Sequence, residues 1–113
     1  MVNELFKVLG DYNRLRIFML VLYKDVCVCE IENILKLSQT NTSRHLSKLK
    51  SSGILRTTKI AQWVYYHIDD EFRSEHKELI KYVTELREPK LYLEIIEESR
   101  VYLQQKCVDG TCK

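Results

Sequence analysis

The chain has 113 residues, 45% hydrophobic and 30% charged, with a formal net charge of +2, three Gly, one Pro and four Cys. That is one small domain of ordinary globular mixture, which excludes a disordered or collagen-like chain. Its longest apolar run, Ile17 to Tyr23, falls far short of the about twenty residues that a membrane span needs.

The first residues carry no charged n-region followed by an apolar h-region, so a cytoplasmic chain with reduced thiols is expected. Leu5, Phe6, Val8 and Leu9 predict a short first helix, closed by Gly10 at a C′ position. Asp11 can cap the next helix, whose Leu15, Ile17, Phe18, Leu20, Val21 and Leu22 leave little polar face and place it at the centre of the core. Val26-Cys27-Val28-Cys29 reads as a strand fragment or as the entry to a helix. Glu30 to Leu37 is helical, with Ile31, Ile34 and Leu35 inward.

Ser38 is an N-cap for a helix from Gln39 to about Ser51. Only Leu46 and Leu49, with Thr42 one turn earlier, form its apolar stripe; the remainder is amide, hydroxyl and cation, a surface suited to a major groove. Gly53 ends that helix. Ile54–Ile60 and Trp63–Ile68 are rich in β-branched and aromatic residues and form a hairpin about Ala61-Gln62, whose turn type is open because it lacks Gly and Asn. From Glu71 the spacing of Phe72, Leu79, Ile80, Val83 and Leu86 predicts one helix, ended by Pro89. A last helical run carries Leu91, Ile95, Ile96, Val101, Tyr102 and Leu103. These late helices have more apolar surface than one thin domain needs, and with the first helix they are read as a dimer interface. Asp109-Gly110 is a turn signal between Cys107 and Cys112 that can bring the two sulfurs together.

Charge is divided along the chain. Between Asn33 and Ile68 stand six basic residues (Lys36, Arg44, Lys48, Lys50, Arg56 and Lys59) and no acidic one. A basic centre between acidic ends is an electrostatic footprint for nucleic acid. The element order is that of a mainly α chain with a β-hairpin wing (α+β): a winged helix-turn-helix, homodimeric, in which residues 1–106 form the DNA-binding and dimerisation domain and residues 107–113 a Cys-containing tail. A two-fold dimer addresses two half-sites of a palindromic operator in double-stranded DNA.

Leu15-Arg16-Ile17, Val26-Cys27-Val28-Cys29-Glu30, Leu37-Ser38-Gln39, Ser43-Arg44-His45-Leu46, Gly53-Ile54-Leu55 and Trp63-Val64-Tyr65-Tyr66, in that order, resemble the ArsR/SmtB family of metal-sensing bacterial repressors. The likeness runs from about residue 3 to 105, and the Cys-Val-Cys-Glu stretch points to the arsenic- and cadmium/lead-sensing branches. Family membership implies a homodimer that binds operator DNA when metal-free and releases it when the inducer binds. Ser38, Gln39, Thr40, Asn41, Ser43, Arg44 and His45 are then expected near bases or adjacent phosphates, and Lys48, Arg56, Lys59 and Gln62 on the backbone. Two departures stand out. Thr42 replaces the usual Val, which predicts looser packing of the recognition helix. Glu32 stands where the best-known arsenic sensors carry a third Cys.

Thiolates select soft ions: trivalent arsenic or antimony, cadmium, lead, monovalent copper, zinc. Trivalent arsenic favours three sulfurs in a pyramid. Cys27 and Cys29 supply two, so Cys107 or Cys112 must complete the site, from the same or the partner protomer. All four together suit Cd(II), Pb(II) or Zn(II). The expected inducer is As(III) or Sb(III), with those divalent ions, or thiol-redox sensing of persulfide or oxidant, as alternatives. The family's further zinc site on the last helix is not expected, because no His follows His76. An enzyme is not expected either: phosphate-loop, Gly-x-Ser-x-Gly and His-Glu-x-x-His motifs are missing, and Glu30 and Glu32 cannot face each other on a helix. No membrane and no small-molecule substrate are expected partners.

Overall fold

The computed structural model describes residues 2–86 and 89–109. In chain order the elements are α1 (Val2–Leu9), α2 (Tyr12–Tyr23), β1 (Val26–Cys27), α3 (Val28–Leu35), α4 (Gln39–Ser51), β2 (Leu55–Ile60), β3 (Trp63–Ile68), α5 (Asp70–Glu75), α6 (Lys77–Lys81), a π-helical turn (Tyr82–Leu86) and α7 (Pro89–Asp109). It is a winged helix-turn-helix, mainly helical with a small antiparallel sheet. Among the described residues no helix is long and apolar enough to cross a membrane.

Asp11 starts α2 as expected: its Oδ1 accepts from the N–H groups of Asn13 (2.9 Å) and Arg14 (3.1 Å). Ile17, Phe18, Met19 and Leu20 on α2 are wholly buried, so this helix is the core around which the others pack. Phe18 meets Phe72 edge-on, 5.9 Å between centroids, which ties α2 to α5. Arg16 donates to the Leu35 carbonyl (2.9 Å) and so ties α2 to the end of α3. Gly10 follows α1, but of the two described glycines only Gly53 has a positive φ. Gly10 is required for space: a Cβ there would stand 2.8 Å from the Phe6 carbonyl oxygen.

Cys27 has both of its expected roles: it ends β1 and is the N-cap of α3. Lys36 at φ 59° turns the chain out of α3, and Ser38 then caps α4 by accepting from the Asn41 N–H at 3.2 Å. Thr42 is fully buried, and its hydroxyl donates to the Ser38 carbonyl at 2.7 Å, one turn back on the same helix. Gly53 (φ 81°) ends the helix, and Ile54 N–H reaches back to Leu49 O at 3.1 Å.

The hairpin pairs Leu55 with Ile68 through Ile60 with Trp63, leaving Ala61-Gln62 as a two-residue turn with Ala61 at φ 56°. It is part of a three-stranded sheet in the order β1-β3-β2, since Val26 pairs with Tyr66 and Cys27 with Tyr65.

The single helix expected from Glu71 is broken. His76, at φ −124° and ψ 42°, separates α5 from α6, its ring 4.4 Å from that of Phe72. Phe72 and Val83 are nonetheless both buried, so the apolar spacing reports which side faces the core and not an unbroken helix. Pro89 opens α7, where its missing N–H costs nothing. That helix continues through Cys107 to Asp109, so the segment expected as a tail is helical at its start. Gly110 and Cys112, and with them the expected turn, lie outside the described residues, as does the side chain of Cys107.

Candidate DNA interface and thiol site

α4 divides cleanly. Thr42, His45, Leu46 and Leu49 are buried; Gln39, Thr40, Asn41, Ser43, Arg44, Ser47, Lys48 and Lys50 are exposed. Spacing by three and four puts the second group on the outer face, an array of amides, hydroxyls and cations with no carboxylate. Arg44 is steadied there by Asn41, whose Oδ1 accepts from Nη2 at 3.1 Å. The absence of acid matters as much as the cations, because phosphates approach a face that does not repel them.

His45 departs from the expected set. It is 2% exposed and points inward, toward Arg14 and Asp11, so it offers nothing to a base edge. Ser38 is exposed, with its hydroxyl engaged as the cap of α4.

Lys59 and Gln62 are exposed at the tip of the wing. Arg56 is 70% exposed at its side chain, but its Nε donates to Asp69 Oδ1 at 2.5 Å. Asp69 also accepts the Phe72 N–H at 3.0 Å, capping α5, and that bond first, then Arg56, holds its carboxyl below the ordinary value. Arg56 could therefore reach a phosphate only while sharing its guanidinium with Asp69, whereas Lys59 has no such commitment among the described residues.

Cys27 and Cys29 stand at the junction between these two surfaces. Cys27 is 4% exposed. It forms a capping box with Glu30, whose Oε1 accepts the Cys27 N–H at 3.1 Å. Burial pushes the Cys27 thiol up from its ordinary pKa, and the Glu30 carboxylate adds to the rise against an opposing bond from the Glu30 N–H. Glu30 is itself buried, with Lys24 Nζ at 3.5 Å. Asn33 donates to the Cys29 carbonyl (2.8 Å) and lies 3.5 Å from its Sγ. Cys27 is a buried thiol. Among the described residues no group of three or more His, Cys, Asp or Glu side chains is placed to hold a metal ion. The described donors therefore fit a soft ion only in part.

Several known proteins resemble the chain. The model of the bacterial regulatory protein, arsR family, matches residues 11–57, from the α2 cap into β2. The arsenic resistance transcriptional regulator ArsR1 of Pseudomonas putida is 43% identical over 67 residues, covering 58% of this chain and 52% of that one. The cadmium resistance regulatory protein CadC of Listeria innocua is 43% identical over 68 residues, 59% of this chain and 57% of its own. ArsR2 of Pseudomonas putida is 38% identical over 79 residues, 69% of either chain. The chain belongs to the arsR family of transcriptional regulators. It spans about half the length of ArsR1 and CadC.

Solved structures agree with the arsR-family fold. HlyU from Vibrio cholerae superposes with a TM-score of 0.67 at 31% identity, covering 76% of this chain and 90% of HlyU, and a reduced form of HlyU fits as well. The homodimeric winged helix-turn-helix DNA-binding domain Mb0332 from Mycobacterium bovis, a possible ArsR-family regulator, gives 0.63 at 27% identity over 73% of this chain and 76% of that one. The family is one of regulators, not enzymes.

Sequence reasoning did not find the capping and bracing roles of Glu30, Asp69 and Arg14. Glu30 had a readable signal: it follows Cys27 by three, the capping-box spacing with Cys in the place of Ser. Asp69 precedes an acidic first turn, the place of an N-cap. Nothing local marks Arg14, whose partner on α4 lies 31 residues away.

Proposed function

We propose that this arsR-family chain is a cytoplasmic metalloregulated repressor. It binds double-stranded operator DNA as a homodimer in the metal-free state and leaves it when As(III) or Sb(III) is taken by Cys27, Cys29 and a third sulfur from Cys107 or Cys112. One observation carries the reading: Cys27 caps the helix that braces α4 and is paired through β1 with Tyr65 of the wing. An ion that draws Cys27 out of its capping box disturbs both DNA-facing elements together. The names of ArsR1 and CadC support a metal as the signal, and the four-sulfur alternative takes Cd(II), Pb(II) or Zn(II). Mutual coupling of about 1–3 kcal/mol gives about 5- to 150-fold weaker operator binding when the ion is bound.

The test is a titration of reduced protein on a duplex of its own promoter with arsenite, antimonite, cadmium, lead and zinc. Release is expected with arsenite or antimonite, and loss of that release is expected in Cys27→Ser and in the Cys107→Ser/Cys112→Ser double variant. Equal binding with and without every ion ends the metal reading.

A second reading, in which oxidation of thiols is the signal, is the alternative that the four Cys allow. The fold likeness to HlyU, for which a reduced form has been solved, accords with it. Operator affinity that changes between reduced and polysulfide-treated protein in metal-free buffer, with a sulfur bridge seen by mass spectrometry, selects this reading over metal binding.

A further inference from the structure

α4 has a narrow apolar contact with the rest of the molecule. Thr42, Leu46 and Leu49 hold it in place, but apolar packing is non-directional and fixes rotation about the helix axis only weakly. His45 supplies direction. Its Nδ1 lies 3.4 Å from Arg14 Nη1, and its Nε2 lies 3.9 Å from Asp11 Oδ1. Arginine has donors only, so Nδ1 must accept and the ring proton must sit on Nε2, facing Asp11. Both partners are fixed in turn. Arg14 Nε donates to the Val8 carbonyl at the end of α1 (2.6 Å), and Asp11 Oδ1 is held by two backbone N–H groups of α2. His45 thus anchors the groove-reading helix to the junction of α1 and α2, with exposed Arg44 beside it in sequence.

We propose that neutral His45, held by Arg14, is a positioning residue for DNA binding: it sets the rotation of α4 that presents Arg44 and its neighbours to the groove. The inference deepens the DNA-binding reading and rests on it. The charged groups facing the ring are Asp11, Arg14 and, on its own helix, Arg44. A proton added at Nδ1 would turn an acceptor into a donor against Arg14 and place a cation beside two guanidiniums. Burial above all disfavours that form, Arg44 and Arg14 add to it, and Asp11 opposes it. Acid therefore breaks the anchor, and operator affinity falls only as pH drops below the ordinary histidine value of 6.5, opposite to the usual gain when a protein acquires positive charge near phosphates.

Nitrogen NMR of the DNA-free, labelled protein at pH 7.5 is expected to find the Nε2–H tautomer at His45. Binding to a duplex of its own promoter is then followed at constant salt for wild type, His45→Leu and His45→Asn. His45→Leu is expected to bind about 5- to 10-fold more weakly at pH 7.5 with helicity and dimer intact. His45→Asn keeps an acceptor where Nδ1 stands, so it is expected to bind within about twofold of wild type. Both variants should lose the acid weakening. An Nδ1–H tautomer, or a His45→Leu protein with wild-type affinity and pH profile, overturns the proposal. If His45→Leu does not fold, His45→Asn decides: an acid loss equal to that of wild type overturns it. Wild type that binds no promoter duplex at any pH defeats the DNA-binding reading, and the tautomer still judges His45 separately.

Discussion

Under the proposed function, Arg44 and Lys59 would bring the same charge to different parts of a duplex. Arg44, braced by Asn41 on the outer face of α4, has the planar fork that reads a base edge. Lys59, exposed near the wing tip, is a point charge suited to phosphate. Arg44→Ala is expected to lower specific affinity by about 1–3 kcal/mol and relax sequence preference. Lys59→Ala is expected to weaken all duplexes alike and reduce the salt slope by about 1. Affinities measured over a range of salt on specific and scrambled duplexes separate the two, and an unchanged slope in Lys59→Ala removes the wing from the phosphates.

Asp69 is a residue of the same scale with a different task. Its folded pKa lies below the ordinary 3.8, first through the Phe72 N–H and then through Arg56, so its contribution to stability is present above that value and is lost as pH falls below it. Melting curves of wild type and Asp69→Asn should accordingly differ at neutral pH, with the variant lower, and converge in acid. A gap that persists in acid would show that the carboxylate's charge is not what stabilises the α5 start.

At the scale of elements, two turns use a non-glycine residue in left-handed backbone: Lys36 between α3 and α4, and Ala61 in the wing. A side chain there costs about 1–2 kcal/mol of backbone energy, partly offset because Gly has more freedom to lose from the unfolded chain. Lys36→Gly and Ala61→Gly are each expected to stabilise by up to about 1 kcal/mol in denaturant unfolding. Destabilisation by either would mean that the side chain makes a compensating contact.

The elements that sequence reasoning located well are those with a chemical start or stop. Asp11, Ser38 and Gly53 mark ends by local hydrogen bonding or backbone freedom, and α4 runs over the predicted residues. The break at His76 left no such mark, because Phe72 and Val83 keep the same face across it. The pairing of Cys27 with Tyr65 joins residues far apart in sequence, and a two-residue strand has too little alternation to announce itself. For the site, the exposed face of α4 was legible from its composition. The inward turn of His45 was not, since a polar residue on a polar helix shows its burial only through a partner on α2.

At the scale of the whole molecule, Phe6 on α1 (63% exposed) and Leu93 on α7 (60%) leave apolar surface on the two terminal helices. Large apolar side chains in solvent at both ends of the chain accord with a homodimer built from those helices. Phe6→Glu/Leu93→Glu is expected to shift the sedimenting species to monomer and to weaken operator binding steeply, because half-sites are then met one at a time. A double variant that remains dimeric places the interface elsewhere.

The short strand β1 has a further consequence. Its partner residues, Tyr65 and Tyr66, lie beyond residue 57, where the likeness to the family model stops. A peptide trimmed to the matched stretch would keep the helices that read DNA but leave Val26 and Cys27 without the ladder that seats them, and would end in the middle of β2. The stretch matched by the family model is thus smaller than the piece of chain able to close upon itself. Transplanting the start of α3 onto another scaffold would have to carry the hairpin along.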